Sequence, residues 1–261
     1  MPEPYSPDPI RRNRLALLRD LYGQFAKAHP EDTYIAAHSG EPFLNGTEQV
    51  FDWYQQWVPR AGQVLDWGCR HAPDACLIRL ERNEDLVIQG CDVVDGKQYS
   101  DPFYGYSGLQ YSQLDHPYKL PYADNSFECV IASGVLEHVP LDYESLKELN
   151  RVVKHGGVLV ITFLPNKRSV QEKMARMKAD EPTTPGVAHH LRVYGTAELR
   201  SLLLHAGFMP EVIGHQTHFD LLQPRTDANE RRRVLSRIGR LIGAAEVTSC
   251  LAAVAKKLDY F

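Results

Sequence analysis

An α/β fold built on a doubly wound, largely parallel sheet is predicted for this chain, with a helical segment ahead of it. Three observations predict it. From residue 63 onward, short apolar runs alternate with helical stretches at the spacing of consecutive βαβ units. Two of those runs, Val130–Ala132 and Val158–Phe163, are almost continuously apolar, as strands covered on both faces are. Before residue 63 no period-two segment occurs, and apolar residues recur at helical spacing instead.

The elements follow in order. "RRNRLALLRDLYGQFAKAH" places Leu15, Leu18, Leu21, Tyr22 and Phe25 on one stripe of an amphipathic helix. "GTEQVFDWYQQWV" reads as a second helix with Thr47 as its N-cap. "QVLDWG" is the first strand, followed by a helix near 73–83; "LVIQGCD" is the second, followed by an irregular segment rich in glycine and tyrosine. "LQYSQLD" and "FECVIASG" are the next strands, then the helix "LDYESLKELNRVV" and the strand "GGVLVITF". A polar insert occupies 166–190. The helix "TAELRSLLLHAGF" then ends at Gly207, in the position of a C′ glycine. "MPEVIGHQTHF" and "SCLAAVAKKL" are two closing strands that bracket an arginine-rich helix, "NERRRVLSRIGRLIG". This layout predicts one domain over 61–261 with an N-terminal helical extension over 1–60, and places the 166–190 insert toward a substrate.

Composition narrows the function classes. The chain has 261 residues, 43% hydrophobic and 24% charged, with a formal net charge of -4, which gives no overall reason to expect nucleic-acid or membrane binding. "MPEPYSPDPIRRNR" lacks the apolar core of a secretory signal, and "GVLVITFLP" is about half the length of a membrane span. The five cysteines form no metal-type CxxC pair, so reduced thiols in a cytoplasmic protein, without stable membrane insertion, are expected.

The chemistry begins at "VLDWGCRHAPDA", residues 64–75. Ligands of open α/β sheets bind beyond the carboxyl ends of the strands. The first strand ends there in Asp66-Trp67-Gly68-Cys69-Arg70-His71. Glycine at this point lets backbone approach a ligand and reach positive φ. Arg70 and Ala72 stand where a G-x-G-x-G pattern has its later glycines. The second strand ends in Asp92, 24 residues after Gly68, where a carboxylate can accept from both ribose hydroxyls of a nucleoside. The third ends near Asp115, where a carboxylate can accept from an adenine amino group.

With "LPYADNSFECVIASGVLEHV" the chain resembles the class I S-adenosylmethionine-dependent methyltransferases, in their broad small-molecule branch. The matching residues are Leu120-Pro121-Tyr122, Asp124, Ser126-Phe127-Glu128, Val135-Leu136-Glu137-His138-Val139, Leu149, Arg151-Val152, Gly156-Gly157 and Pro165-Asn166, and "HLRVYGTAELRSLLLHAGF" extends the likeness to about residue 220. Glu128 replaces the family's aspartate. The resemblance implies a Rossmann-like seven-stranded sheet with the last strand antiparallel. It also implies S-adenosyl-L-methionine as cofactor and S-adenosyl-L-homocysteine as product. The methionine end would lie over Asp66, Gly68, Cys69 and Arg70, the ribose against Asp92 beside Val93, and the adenine near Asp115 and His116. Ser133 would sit near the sulfonium.

Methyl transfer needs alignment, and a hydroxyl acceptor also needs a base. His138, after the fourth strand, is a candidate base or packs the start of the next helix; His189 and His190, at the end of the insert, reach an acceptor or lie on a surface loop. Some relatives hold a divalent ion on a Glu-x-x-Glu-His constellation. Gly134 replaces the first glutamate here, leaving one carboxylate and one imidazole, so no metal is expected. The expected activity is methylation of a small-molecule or glycan acceptor at a hydroxyl. The alternative is an inactive methyltransferase-like binding or regulatory module. A dinucleotide oxidoreductase would need the missing glycines. A nucleic-acid methyltransferase would need an amino-methylating Asn/Asp-Pro-Pro-aromatic motif or a basic surface.

Overall fold

The computed structural model describes residues 9–82, 85–116, 118–169, 172–173, 190–216 and 250–258. Seven strands make one sheet in the order β3-β2-β1-β4-β5-β7-β6, and the chain divides into two compact units, 1–115 and 116–261.

In the first unit, α1 (Pro9–Ala28), α2 (Thr33–His38) and α3 (Glu41–Tyr54) precede β1 (Gly62–Trp67). After β1 come α4 (Pro73–Glu81), β2 (Leu86–Asp92) and β3 (Gln110–Gln113), all three strands parallel. The segment between β2 and β3 is a chain of short helical turns, Gly96–Tyr99, Ser100–Tyr104 and α5 (Gly105–Ser107). All five residues of the predicted α1 stripe are buried. Gly90 is required by packing: a Cβ there would come within 2.8 Å of the Cys69 sulfur.

Thr47 is not an N-cap. The helix begins six residues earlier, at Glu41, capped by Gly40 and with Pro42 in its first turn, where the ring's fixed φ and missing N–H suit a helix start. Thr47 lies inside α3, buried, its Oγ1 without a hydrogen-bond partner.

In the second unit, β4 (Phe127–Ser133) pairs parallel with β5 (Val153–Leu164), and α6 (Asp142–Val152) joins them. After α7 (Thr196–His205), β6 (Phe208–Gln216) and β7 (Cys250–Lys257) close the sheet, β7 antiparallel to both β5 and β6. Gly207, at φ 85°, follows α7 as predicted. The arginine-rich stretch 229–243 and most of the 166–190 insert lie outside the described residues. No helix among the described residues is long and apolar enough to cross a membrane.

One buried cation fastens the N-terminal helices of the first unit. The Arg14 guanidinium, 3% exposed, donates to Glu48 on α3 at 3.0 Å, to Asp52 at 2.8 Å and to Glu81 on α4. These bonds to three carboxylates hold its pKa above the usual arginine range despite burial. Removing one member of a buried network leaves the others desolvated and uncompensated. Arg14→Ala is therefore expected to lower stability by about 3–5 kcal/mol, read as a shifted midpoint in urea unfolding.

Candidate functional site

The loop after β1 turns left-handed three times. Gly68 has φ 69°, Arg70 φ 43° and Ala72 φ 52°, so the two non-glycine residues adopt the conformation that the glycines of a G-x-G-x-G loop supply freely. Each costs about 1–2 kcal/mol of backbone strain. The surroundings hold Arg70 in place from every side. Its N–H donates to Asp92 Oδ2 at 3.0 Å, and its carbonyl accepts from the Tyr104 hydroxyl. Its Nε donates to Tyr99 Oη at 3.2 Å, and its guanidinium lies 3.6 Å from the centre of the Tyr34 ring. The tyrosine-rich segment thus braces the loop: Tyr104 stacks on Tyr111, whose hydroxyl donates to the Val94 carbonyl.

Two carboxylates stand at the carboxyl ends of β1 and β2. Asp92 accepts from the N–H groups of Arg70 and Val93, the latter at 2.6 Å, while Val93 itself is an exposed apolar side chain. Asp66 is 2% exposed, and its Oδ2 has no hydrogen-bond partner. Burial, with Asp74 and Asp92 nearby, pushes its pKa well above the usual carboxylate range. Cys69 is buried, its thiol 3.9 Å from the Tyr104 hydroxyl. Asp115 lies exposed just past β3.

His71 is a core residue rather than a solvent-facing one. It is buried among Tyr22, Tyr34, His38 and Phe103, its Nε2 hydrogen-bonded to the Tyr22 hydroxyl and its Nδ1 without a partner. Burial, with His38 and Arg70 nearby, drops its pKa well below the ordinary value, so it is neutral.

The second unit carries its own cluster. Ser133 ends β4 and accepts from Thr162 Oγ1 at 3.0 Å; His116 is exposed beside Tyr118. Past Gly134, the Glu137 carboxylate is 2% exposed, with Oε2 lacking any hydrogen-bond partner, and burial pushes it up to about 7. His138 Nε2 is 3.9 Å from Glu137 Oε1, and the His138 and His190 rings are 5.2 Å apart. His190 Nδ1 donates to Glu172 Oε2 at 3.0 Å. The stretch bearing His190 is tied down by Leu191 N–H to the Glu137 carbonyl at 3.0 Å, and by Tyr194, whose hydroxyl is 3.2 Å from the Leu136 carbonyl. Phe163 at φ 60° marks a β-bulge at the end of β5, with its Cβ beside Gly134.

The predicted residues therefore gather in two places: Asp66, Gly68, Cys69, Arg70, Asp92 and Val93 around one loop, and His138 with His190 in one cluster. His189 lies outside the described residues. Sequence reasoning missed Tyr34, Tyr99 and Tyr104 as braces of Arg70, and Glu137 and Glu172 as partners of the histidines. The "LEH" motif pointed at Glu137; nothing local marks Glu172.

A family model described as "Methyltransferase domain" matches residues 90–161. An uncharacterized methyltransferase of Schizosaccharomyces pombe is 27% identical over 145 residues, 51% of this chain and 50% of that protein. The ubiquinone/menaquinone biosynthesis C-methyltransferase UbiE of Teredinibacter turnerae is 38% identical over 66 residues, 25% of this chain and 26% of that protein. The chain thus spans half or less of the length of the curated relatives it matches. Among solved structures, a SAM-dependent methyltransferase of Archaeoglobus fulgidus superposes with a TM-score of 0.60 at 19% identity, over 87% of this chain and 100% of that one.

The strain at Arg70 is separable from its side-chain contacts. Arg70→Ala and Arg70→Gly both lose the Tyr34 and Tyr99 contacts, but only the glycine relieves the backbone. The glycine variant is expected to be the more stable by about 1 kcal/mol in urea unfolding; equal stabilities would remove the strain argument.

His71 gives a pH signature. Its folded pKa lies below the unfolded value of 6.5, so below pH 6.5 the unfolded chain binds more protons and stability falls. The stability of the wild type relative to His71→Leu is expected to drop by up to about 1.4 kcal/mol per pH unit as pH falls from about 6.5.

Proposed function

We propose that this protein, a class I methyltransferase by fold and by sequence signature, transfers a methyl group from S-adenosyl-L-methionine to a hydroxyl of a small-molecule or glycan acceptor. The observation that carries the reading is the loop after β1. It keeps left-handed backbone at 68, 70 and 72 although two of those residues are not glycine, and it sits beside a buried, unpartnered carboxylate oxygen on Asp66. Those residues fit a nucleoside with an amino-acid tail. Asp92, at the strand end, suits two ribose hydroxyls, with the exposed Val93 beside it for an apolar base face. Asp66, Gly68, Cys69 and Arg70 line the place for the methionine end; Asp115 and His116 serve the adenine, and Ser133 the sulfonium. Bound there, S-adenosyl-L-methionine supplies a methyl group already activated on a positive sulfur.

The chain's own work is then alignment, exclusion of water and handling of one proton. The N-terminal helices cover the loop through Tyr22 and Tyr34. The imidazoles of His138 and His190 are about one-third exposed, while Glu137 beside them is buried. Glu172 accepts the Nδ1–H of His190 and so fixes the tautomer in which Nε2 takes the hydroxyl proton. His189 and the rest of the 166–190 insert belong to the same acceptor side in this reading. A cytoplasmic setting agrees with five free thiols.

The test is calorimetric titration of the purified chain with S-adenosyl-L-methionine and S-adenosyl-L-homocysteine. Micromolar binding is expected, with Asp92→Ala weakening it by about 100-fold through lost charged hydrogen bonds and Asp92→Asn, which keeps an acceptor, by less. Failure of the folded wild type to bind either ligand would overturn the enzyme reading and leave a methyltransferase-like binding module.

A further inference from the structure

Glu137 poses a problem that methyl transfer does not require. A carboxylate buried to 2% exposure with one oxygen unpartnered is costly unless it takes up a proton or a positive or proton-donating group is placed against it. Its surroundings supply two nitrogens. One donor atom each from Glu137, His138 and His190 falls within 4.8 Å of the other two. A tetrahedral ion with ligands at about 2.1 Å holds its donors about 3.4 Å apart, so small side-chain rotations close the set.

The groups behind the cluster are arranged as metal sites arrange them. The carboxylate of Glu172 accepts from His190 Nδ1 at 3.0 Å, which fixes the ring and presents Nε2 as the coordinating nitrogen. The backbone bond from Leu191 to the Glu137 carbonyl holds the two ligand-bearing segments together although they are far apart in sequence. The strained backbone of Phe163, with its Cβ against Gly134, marks the same place as one the fold holds against its local preference.

We propose that Glu137, His138 and His190 form a binding site for a divalent transition-metal ion of the zinc class, with Glu172 as the positioning residue for His190. Two imidazoles and one carboxylate make a three-ligand set that leaves a coordination position open, as catalytic rather than structural zinc sites do. The count of two ligands drawn from the motif around Gly134 missed the third because His190 lies 52 residues after His138. The ion-binding claim stands whether or not the chain transfers methyl groups. Where it does, the open position is where an acceptor oxygen would be polarised, and in the loaded state the imidazoles act as ligands in place of proton acceptors.

The test uses the full, untagged chain, stripped with chelator and titrated with cobalt(II). One ion per chain is expected, with the visible absorption of near-tetrahedral cobalt and displacement by zinc. His190→Ala and Glu137→Gln are each expected to weaken binding by more than about 100-fold, and Glu172→Gln by about 10–100-fold. His138→Ala, at a half-buried position, covers the case in which Glu137→Gln does not fold. S-adenosyl-L-methionine binding, measured on the same samples, reports on residues that are not among the proposed ligands. Its persistence in the variants shows that they are intact, and its presence without cobalt binding sinks the ion site alone. A folded wild type that takes up no cobalt at millimolar concentration, or binding that these variants leave unchanged, would overturn the proposal.

Discussion

The first unit is organised around the hydrogen bond from the Arg70 N–H to Asp92. It ties the loop after β1 to the end of β2, and it sets Arg70 in the left-handed region where its side chain meets Tyr34 and Tyr99. Strained backbone persists only where the surrounding structure over-determines it. Here the restraint comes from the parallel β1–β2 pairing, from the Tyr104 hydroxyl on the Arg70 carbonyl, and from the cation–π contact with α2. The helices of the first unit gain a function from this: they hold a cofactor-type loop in a shape that its own residues do not favour. Arg14, buried on α1 and bonded to α3 and α4, keeps those helices in place.

Among the described residues, each unit carries one buried carboxylate with an unpartnered oxygen, Asp66 at the end of β1 and Glu137 beyond the end of β4. Both have pKa values raised by burial, and both sit where open α/β sheets bind ligands. Such groups are expensive in a folded chain. Packing does not explain them, since either side chain replaced by an apolar one of similar volume would remove the cost. A proton taken up by each carboxyl relieves part of the cost, and a ligand that donates hydrogen bonds or positive charge would relieve it further.

Legibility followed locality. β4 spans Phe127–Ser133, as the apolar run indicated, because buried parallel strands write their burial into consecutive residues; β2 spans Leu86–Asp92 with Val87 exposed. The start of α3 was misread because Thr47 offers a capping hydroxyl, while the real start depends on Gly40 and Pro42, whose signal is weaker in isolation. The departures at Arg70 and Ala72 were visible as missing glycines; that both keep positive φ was not, because Tyr34, Tyr99 and Tyr104, which enforce it, are distant in sequence. The meeting of His138 with His190 is of the same kind: each was a candidate alone, and bonds such as Leu191 to Glu137 and Tyr194 to Leu136 bring the two segments together.

Among the described residues, four that are not glycine have positive φ: Arg70, Ala72, Asn125 and Phe163. Asn125 is in a tight turn before β4, where asparagine adopts this conformation at little cost. The other three stand at or just past the carboxyl ends of strands, beside the two unpartnered carboxylates. A loop drifting toward a purely structural role would be expected to relax, since Arg or Ala at those positions has no reason to stay left-handed once nothing must fit against the backbone. The conformation is held instead by at least four separate contacts on Arg70 alone. The loop thus keeps the left-handed backbone of a G-x-G-x-G turn with arginine and alanine in two of its places.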